Sequence, residues 1–458
     1  MHLRYSVLLL LGSAAGGLGR QDADQTCPLT GPGLEPAGLM EQSICAVTTN
    51  VVPSSSSSSS SPLHPILQEF QDLIESDPRL YMFFDSMFDE DAVEPANSTQ
   101  YPAGYDYHRM LHDLNYVLHT APSFNTSMIH SINRGSPFYA LLRWAADTPD
   151  GHAALLDKSV NAMIGAILNV WGDFLTSPAS AHVLDDSPTG WFHPDSLRAL
   201  EETGNLGQTA YTFSDMYTCD ATAPAYGFPS WDAFFTRTFR PGIRPVSSPD
   251  DDSIIVNACE SRPYALRHDV AAYDRFWIKG LRYSMRHMLA HDALADSFVG
   301  GTVYQAFLSS MSYHRWHAPV AGRIVRAYVV NGTYFSHPLF DSPNMYDTMS
   351  RGSTQAYLAA TATRALIFIE ADNPAIGLMV FIGIGMVEVS TCEITVREGQ
   401  YVAKGDQLGM FHFGGSSHVL AFRPGVNVTG FPEERDKGAP NVPVRGRLAV
   451  VNNREIDR

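Results

Sequence analysis

Phe411-His412-Phe413-Gly414-Gly415-Ser416-Ser417-His418 lies near the C-terminus, between segments that read as strands. Glycine permits a tight backbone that exposes the peptide bond following it. A serine on the far side of that bond can attack the preceding carbonyl when a base takes its proton. Gly-Gly-Ser-Ser is also an ordinary turn sequence. What decides between the two lies upstream.

Working outward, the chain from about 245 onward is rich in β-branched and apolar residues broken by glycine. Residues 323–330, 365–371 and 378–389 read as strands. Glu398-Gly399 and Lys404-Gly405-Asp406 mark tight turns, and 276–294 reads as the main helical interruption. Farther upstream the periodicity changes. Leu63, Ile66, Leu67, Phe70, Leu73 and Ile74 follow helical spacing, as do Met110, Leu111, Leu114, Val117 and Leu118. Val160, Met163, Ile164, Ile167, Val170, Trp171 and Phe174 share a third helical face. Residues 63–205 therefore form a predicted helical domain, and 231–239 a short helix stopped by Arg240-Pro241-Gly242. Residues 20–62 read as a disordered linker ending in the serine run 54–61. The fold class expected is α+β, a helical N-terminal domain followed by a β-rich catalytic one.

A chain of 458 residues with 45% hydrophobic content can build two or three cores. Its net charge of -17 argues against nucleic acid and against an anionic membrane face. No stretch approaches the roughly 20 apolar residues that span a bilayer, so no stable membrane anchor is expected. Arg4, the apolar run 7–11 and small residues to Gly19 read as a signal peptide over 1–19, or as an ordinary tail. The first reading places the protein in the secretory pathway or outside the cell, the second in the cytoplasm. Five cysteines form no metal pattern; Cys27 and Cys45 alone are spaced for a local bridge.

Three stretches must converge if Ser416 is a nucleophile: Ser416 itself, Tyr313-His314-Arg315-Trp316-His317, and Ser248-Pro249-Asp250-Asp251-Asp252. A serine is activated by a neighbouring base, and a histidine works best with a carboxylate fixing its tautomer. Any of the three aspartates supplies that carboxylate.

These residues carry a family resemblance. Phe234-Phe235-Thr236-Arg237, Arg240-Pro241-Gly242-Ile243-Arg244-Pro245, Ser248-Pro249-Asp250-Asp251, Ile278-Lys279-Gly280, the run from Tyr313 to Gly322, and Lys404-Gly405-Asp406-Gln407-Leu408-Gly409 stand in the order found in phosphatidylserine decarboxylases. They end in that family's Gly-Ser processing site at Gly415-Ser416. The leader, with Leu184-Asp185-Asp186-Ser187-Pro188-Thr189-Gly190-Trp191-Phe192, resembles a fungal subgroup that includes tryptophan decarboxylases of psilocybin biosynthesis.

The resemblance implies a pyruvoyl-dependent decarboxylase domain over 230–458, cut between Gly415 and Ser416. His317 takes the Ser416 proton, oriented by Asp251. Ser416 becomes a pyruvoyl group, and the small chain stays bound to the large one. That group forms an imine with the substrate amine and draws electrons from the breaking carboxylate bond. His317 or His314 returns the proton. An aromatic amino acid is the leading small-molecule substrate, and phosphatidylserine the alternative. Two features depart from the family pattern: Arg351-Gly352-Ser353-Thr354 stands where an Asn-Glu-Arg is common, and Asp252 where a glycine is common. Gly352-Ser353 is itself a decoy cleavage site. Competing classes are a carrier module with Lys404 at a hairpin tip, a zinc hydrolase using His314, His317, His412 or His418, and a non-catalytic secreted relative. No metal is expected, because no carboxylate or thiol stands at ligand spacing.

Overall fold

The computed structural model describes residues 62–88, 104–124, 137–142, 145–274, 283–336, 352–386, 391–412, 416–433 and 440–452. Cys27, Cys45, the signal-like run and the serine-rich segment fall outside them, as do Phe413, Gly414 and Gly415.

Helices open on a capping side chain, in two cases followed by proline. Pro65–Ser76 starts on a proline with His64 as cap, and Asp77 caps Pro78–Ser86 through the amides of Arg79 and Leu80. Asp106 caps Tyr107–Val117, and Asp157 caps Lys158–Thr176. Their apolar faces bury Leu67, Phe70, Ile74, Met110, Leu114, Ile164, Ile167 and Trp171 in one core. Trp231–Phe235 ends earlier than the sequence suggests, because Phe239 leaves the helix to bridge Tyr217.

The rest is β-rich, as the α+β expectation requires. Strands in chain order are β1 Ile254–Val256, β2 Arg262–Val270, β3 Gly301–Leu308, β4 Arg315–His317, β5 Gly322–Val330, β6 Arg364–Ala371 and β7 Leu378–Ile384. They continue with β8 Thr391–Ile394, β9 Tyr401–Val402, β10 Gln407–His412, β11 Ser416–Phe422, β12 Val428–Thr429 and β13 Arg447–Val451. An antiparallel seven-stranded sheet runs β2-β3-β11-β7-β6-β5-β9. Two three-stranded sheets, β4-β10-β8 and β1-β13-β12, accompany it. β3 and β11 are buried along their whole length, the mark of strands covered on both faces.

One face of the large sheet, with Leu308, Ile367, Phe381, Leu420 and Phe422, packs against Trp316, Leu408 and Phe411 of the small sheet. The other face, with Phe307, Ile382, Val419 and Ala421, packs on Met285, Met288 and Leu358. Of the helix predicted over 276–294, residues 276–282 lie outside the described ones, and within 283–294 the α-helix covers Met285–Met288. Its continuation is broken by Ala290 and His291, which both take left-handed backbone angles. Gly352, the decoy site, begins the helix Gly352–Thr361 rather than preceding a strand.

Candidate functional site

The chain crosses from the small sheet to the large one between His412 and Ser416. It makes the matching crossing between Leu308 and Arg315, since β4 pairs with β10 and β3 with β11. This brings the histidine segment alongside Phe411 and places Ser416 at the start of β11. Phe411 donates its amide to the carbonyl of His314 at 3.0 Å, and Ser416 lies opposite Leu308. Ser416 is fully buried, and its hydroxyl has no hydrogen-bond partner among the described residues. A buried polar atom left unpaired costs about 1–3 kcal/mol, so the position calls for an explanation beyond packing.

His317 is buried and fully bonded. Its Nδ1 lies 2.9 Å from the carbonyl oxygen of Gly405 and its Nε2 3.0 Å from the Tyr313 hydroxyl. A carbonyl only accepts, so Nδ1 carries the proton and Nε2 accepts from Tyr313. Gly405 can aim its carbonyl this way because it sits at φ +87°, a conformation that favours glycine. Burial, with the nearby Arg445 cation, holds the His317 imidazole neutral down to about 3.

Asp251 is exposed, and its carboxylate accepts from the amide and hydroxyl of Ser253, which lower its pKa. No described hydrogen bond joins it to His317, or His317 to Ser416. The link is indirect: Lys404 donates to the carbonyls of Ser248 and Asp251, and the next residue, Gly405, holds the histidine. His314 is buried with its ring stacked on Phe235 at 4.1 Å. The short helix Trp231–Phe235 thus buttresses the histidine segment, aided by Arg315 donating to the Thr236 carbonyl at 2.6 Å.

Two features escaped the sequence reading. His412 bridges Asp232 at 2.7 Å and Glu393 at 2.9 Å; burial opposes its charge, but the two carboxylates prevail and raise its pKa. Gln305 centres a buried polar network. It accepts from Tyr283 and donates to Gln355 and Ser417, each donation at 3.1 Å. Both depend on partners 19 to 180 residues away in the chain, and no local pattern announces them. Among the described residues, no group of three or more His, Cys, Asp or Glu is arranged to hold a metal, and no single helix is long and apolar enough to cross a membrane.

Comparison with known proteins adds a consistent set of likenesses. Residues 64–200 and 231–439 each match a family described as phosphatidylserine decarboxylase. A decarboxylase of Amanita muscaria named iboD is 46% identical over 66% of this chain and 87% of its own length. An L-tryptophan decarboxylase of Psilocybe cubensis is 37% identical over 78% of this chain and 80% of its own. Phosphatidylserine decarboxylase proenzyme 3 of Schizosaccharomyces pombe is 31% identical over 48% of this chain and 21% of its own.

Proposed function

The chain belongs to the phosphatidylserine decarboxylase family and is a decarboxylase; on that premise we propose that it cuts itself between Gly415 and Ser416 and removes the carboxylate of an α-amino acid. The observation that carries this reading is the buried hydroxyl of Ser416, unpartnered among the described residues, at the start of the interior strand β11. A hydroxyl that water cannot reach and no neighbour satisfies suits a group held for attack on the adjoining carbonyl.

The pyruvoyl group made from Ser416 supplies an electron sink for the bond that breaks. The chain's own residues supply the rest. β3 and β7 hold residues 416–422 in register on both sides, so the new chain end stays fixed. Leu408 and Phe411 before the cut share a core with Leu420 and Phe422 after it, which keeps the two chains together. His317 or His314, on the segment paired with β10, returns a proton to the substrate carbon. Asp251 acts at a distance, through the Lys404–Gly405 turn that orients His317. The helical unit over 63–205 and the short helix at Trp231 buttress the catalytic unit over 230–458.

Relatives matched over 80% or more of their own length carry no lipid in their names, whereas the phosphatidylserine decarboxylases are matched over 63% of theirs or less. An aromatic amino acid such as tryptophan is therefore the proposed substrate. Intact-mass analysis tests the cut: two chains meeting between 415 and 416 are expected, and one uncut chain with an ordinary serine overturns the reading. Carbon dioxide release from tryptophan, other amino acids and phosphatidylserine vesicles tests the substrate. Release from the vesicles alone transfers the activity to the phospholipid.

A further inference from the structure

His412 is the last residue of β10, and its ring lies between two carboxylates from different elements. Nδ1 stands 2.7 Å from Oδ1 of Asp232 on the short helix Trp231–Phe235, and Nε2 stands 2.9 Å from Oε2 of Glu393 on β8. A carboxylate oxygen only accepts, so both ring nitrogens must donate, and a neutral imidazole has a single N–H. The contact geometry therefore defines an imidazolium. Burial disfavours that charge, but the two carboxylates outweigh it and raise the pKa above 6.5.

The clamp is built unevenly. The His412 and Asp232 side chains keep 15% and 11% of their exposure, whereas Glu393 keeps 49%. Loss of the ring proton leaves one N–H for two carboxylates. Glu393 can turn to water, but Asp232 cannot do so without moving its helix. A nearly buried carboxylate deprived of its cation is costly, so the helix contact weakens. The other ionisable groups nearby are engaged elsewhere. Cys392 of β8 turns to the Gly383 carbonyl, Arg315 of β4 donates to Thr236 and Gln407, and His314 stacks on Phe235.

What the clamp holds is the helix that touches the site. Asp232 and Phe235 are three positions apart and lie on one helical face. Asp232 grips His412 while the Phe235 ring lies 4.1 Å from that of His314. Phe411, next in the chain to His412, donates to the His314 carbonyl, so the same two elements hold His314 from both sides. The helix is also fixed in the leader, with Trp191 5.1 Å from Phe234 and the Trp231 amide donating to Ser180 at 2.9 Å. Resting on the reading above that His317 or His314 serves the group made from Ser416, we propose that His412 is a positioning residue. Its imidazolium draws the helix of the leader onto the site and seats Phe235 against His314, and the neutral ring lets that contact go slack.

The test follows carbon dioxide release by the cut full-length enzyme against pH, with kcat and KM separated and the fragments counted on a gel. Tryptophan is the probe, or phosphatidylserine vesicles if only they react. Wild type is expected to lose kcat, and not KM, as pH rises through a midpoint above 6.5. Glu393→Gln removes the half-exposed partner, so its midpoint is expected at lower pH. Its kcat then falls about two- to fivefold below wild type in mild alkali, the scale of a half-exposed ion pair, and converges with it in acid. His412→Gln is expected to be about tenfold slower in acid and to show no such midpoint. Equal profiles for wild type and Glu393→Gln overturn the proposal, and so does a His412→Gln enzyme that matches the wild-type profile. Where His412→Gln does not fold, Glu393→Gln alone decides. A wild-type chain that is never cut, or is inert to both probes, sinks the proposed function and this inference with it. A cut, active wild type without the midpoint sinks this inference alone.

Discussion

Ser416 and Ser417 are adjacent, of one chemical type and equally buried, yet the two faces of β11 treat them oppositely. Ser417 looks into the core beneath Met285 and Leu358, where Gln305 donates to it and Tyr283 and Gln355 complete the network. Ser416 shares its face with Trp316 and His418, where its hydroxyl and both imidazole nitrogens have no partner among the described residues. Folding alone favours the first arrangement, because satisfied polar groups rigidify a core and orphaned ones weaken it. Stability is thus concentrated on one face and reactivity on the other, with a single strand carrying both.

The contrast breaks most sharply if the serines are exchanged in role. Ser416→Ala is expected to abolish cutting, giving one full-length band on a denaturing gel; two bands would assign the nucleophile elsewhere. Next in size, Gln305→Leu removes the hydrogen bonds that join it to Tyr283, Gln355 and Ser417. It should cost about 0.5–1.5 kcal/mol for each bond lost, read as a lowered midpoint in urea, while cutting continues. If that variant instead folds normally but stays whole, the satisfied face is part of the chemistry.

Acid sharpens the comparison further. His317 and His418 ordinarily titrate at 6.5, but burial holds each neutral in the folded chain down to about 3. The unfolded chain binds those protons first, so stability is full above 6.5 and falls as pH drops toward 3. His412 works the other way, since Asp232 and Glu393 outweigh its burial; its contribution is lost as pH rises through its raised value. Two depressed histidines against one raised should make the melting temperature fall between pH 6.5 and 4, and a flat profile there contradicts the buried, neutral assignment. Smallest of all, Ser417→Ala removes one hydrogen bond, worth about 0.5–1.5 kcal/mol, and leaves cutting within a few-fold of wild type.

Much of the fold was legible because it is written locally. The helical faces around Leu67, Met110 and Ile164 and the turns at Gly399 and Gly405 sit where periodicity and glycine place them. The break in the described part of the helix expected over 276–294 was not, since left-handed Ala290 and His291 carry no glycine to warn of it. At the site, Ser416, His314 and His317 were visible as motif residues. Asp251 was also singled out, but its carboxylate turns to Ser253, a choice local hydrogen bonding makes and spacing cannot reveal. His418 and Gln305 gain meaning only from register: one from Ala306 and Gly383 beside it, the other from Ser417 across the ladder.

The order β3-β11-β7 has a consequence for the life of each molecule. The segment after residue 416 fills the middle of the ladder and, through β13 against β1, closes a second sheet. No spare copy can be swapped in without dismantling both. On the proposed self-cleavage, each molecule is armed once, when it folds, and a reactive end spoiled by side chemistry would retire the whole enzyme.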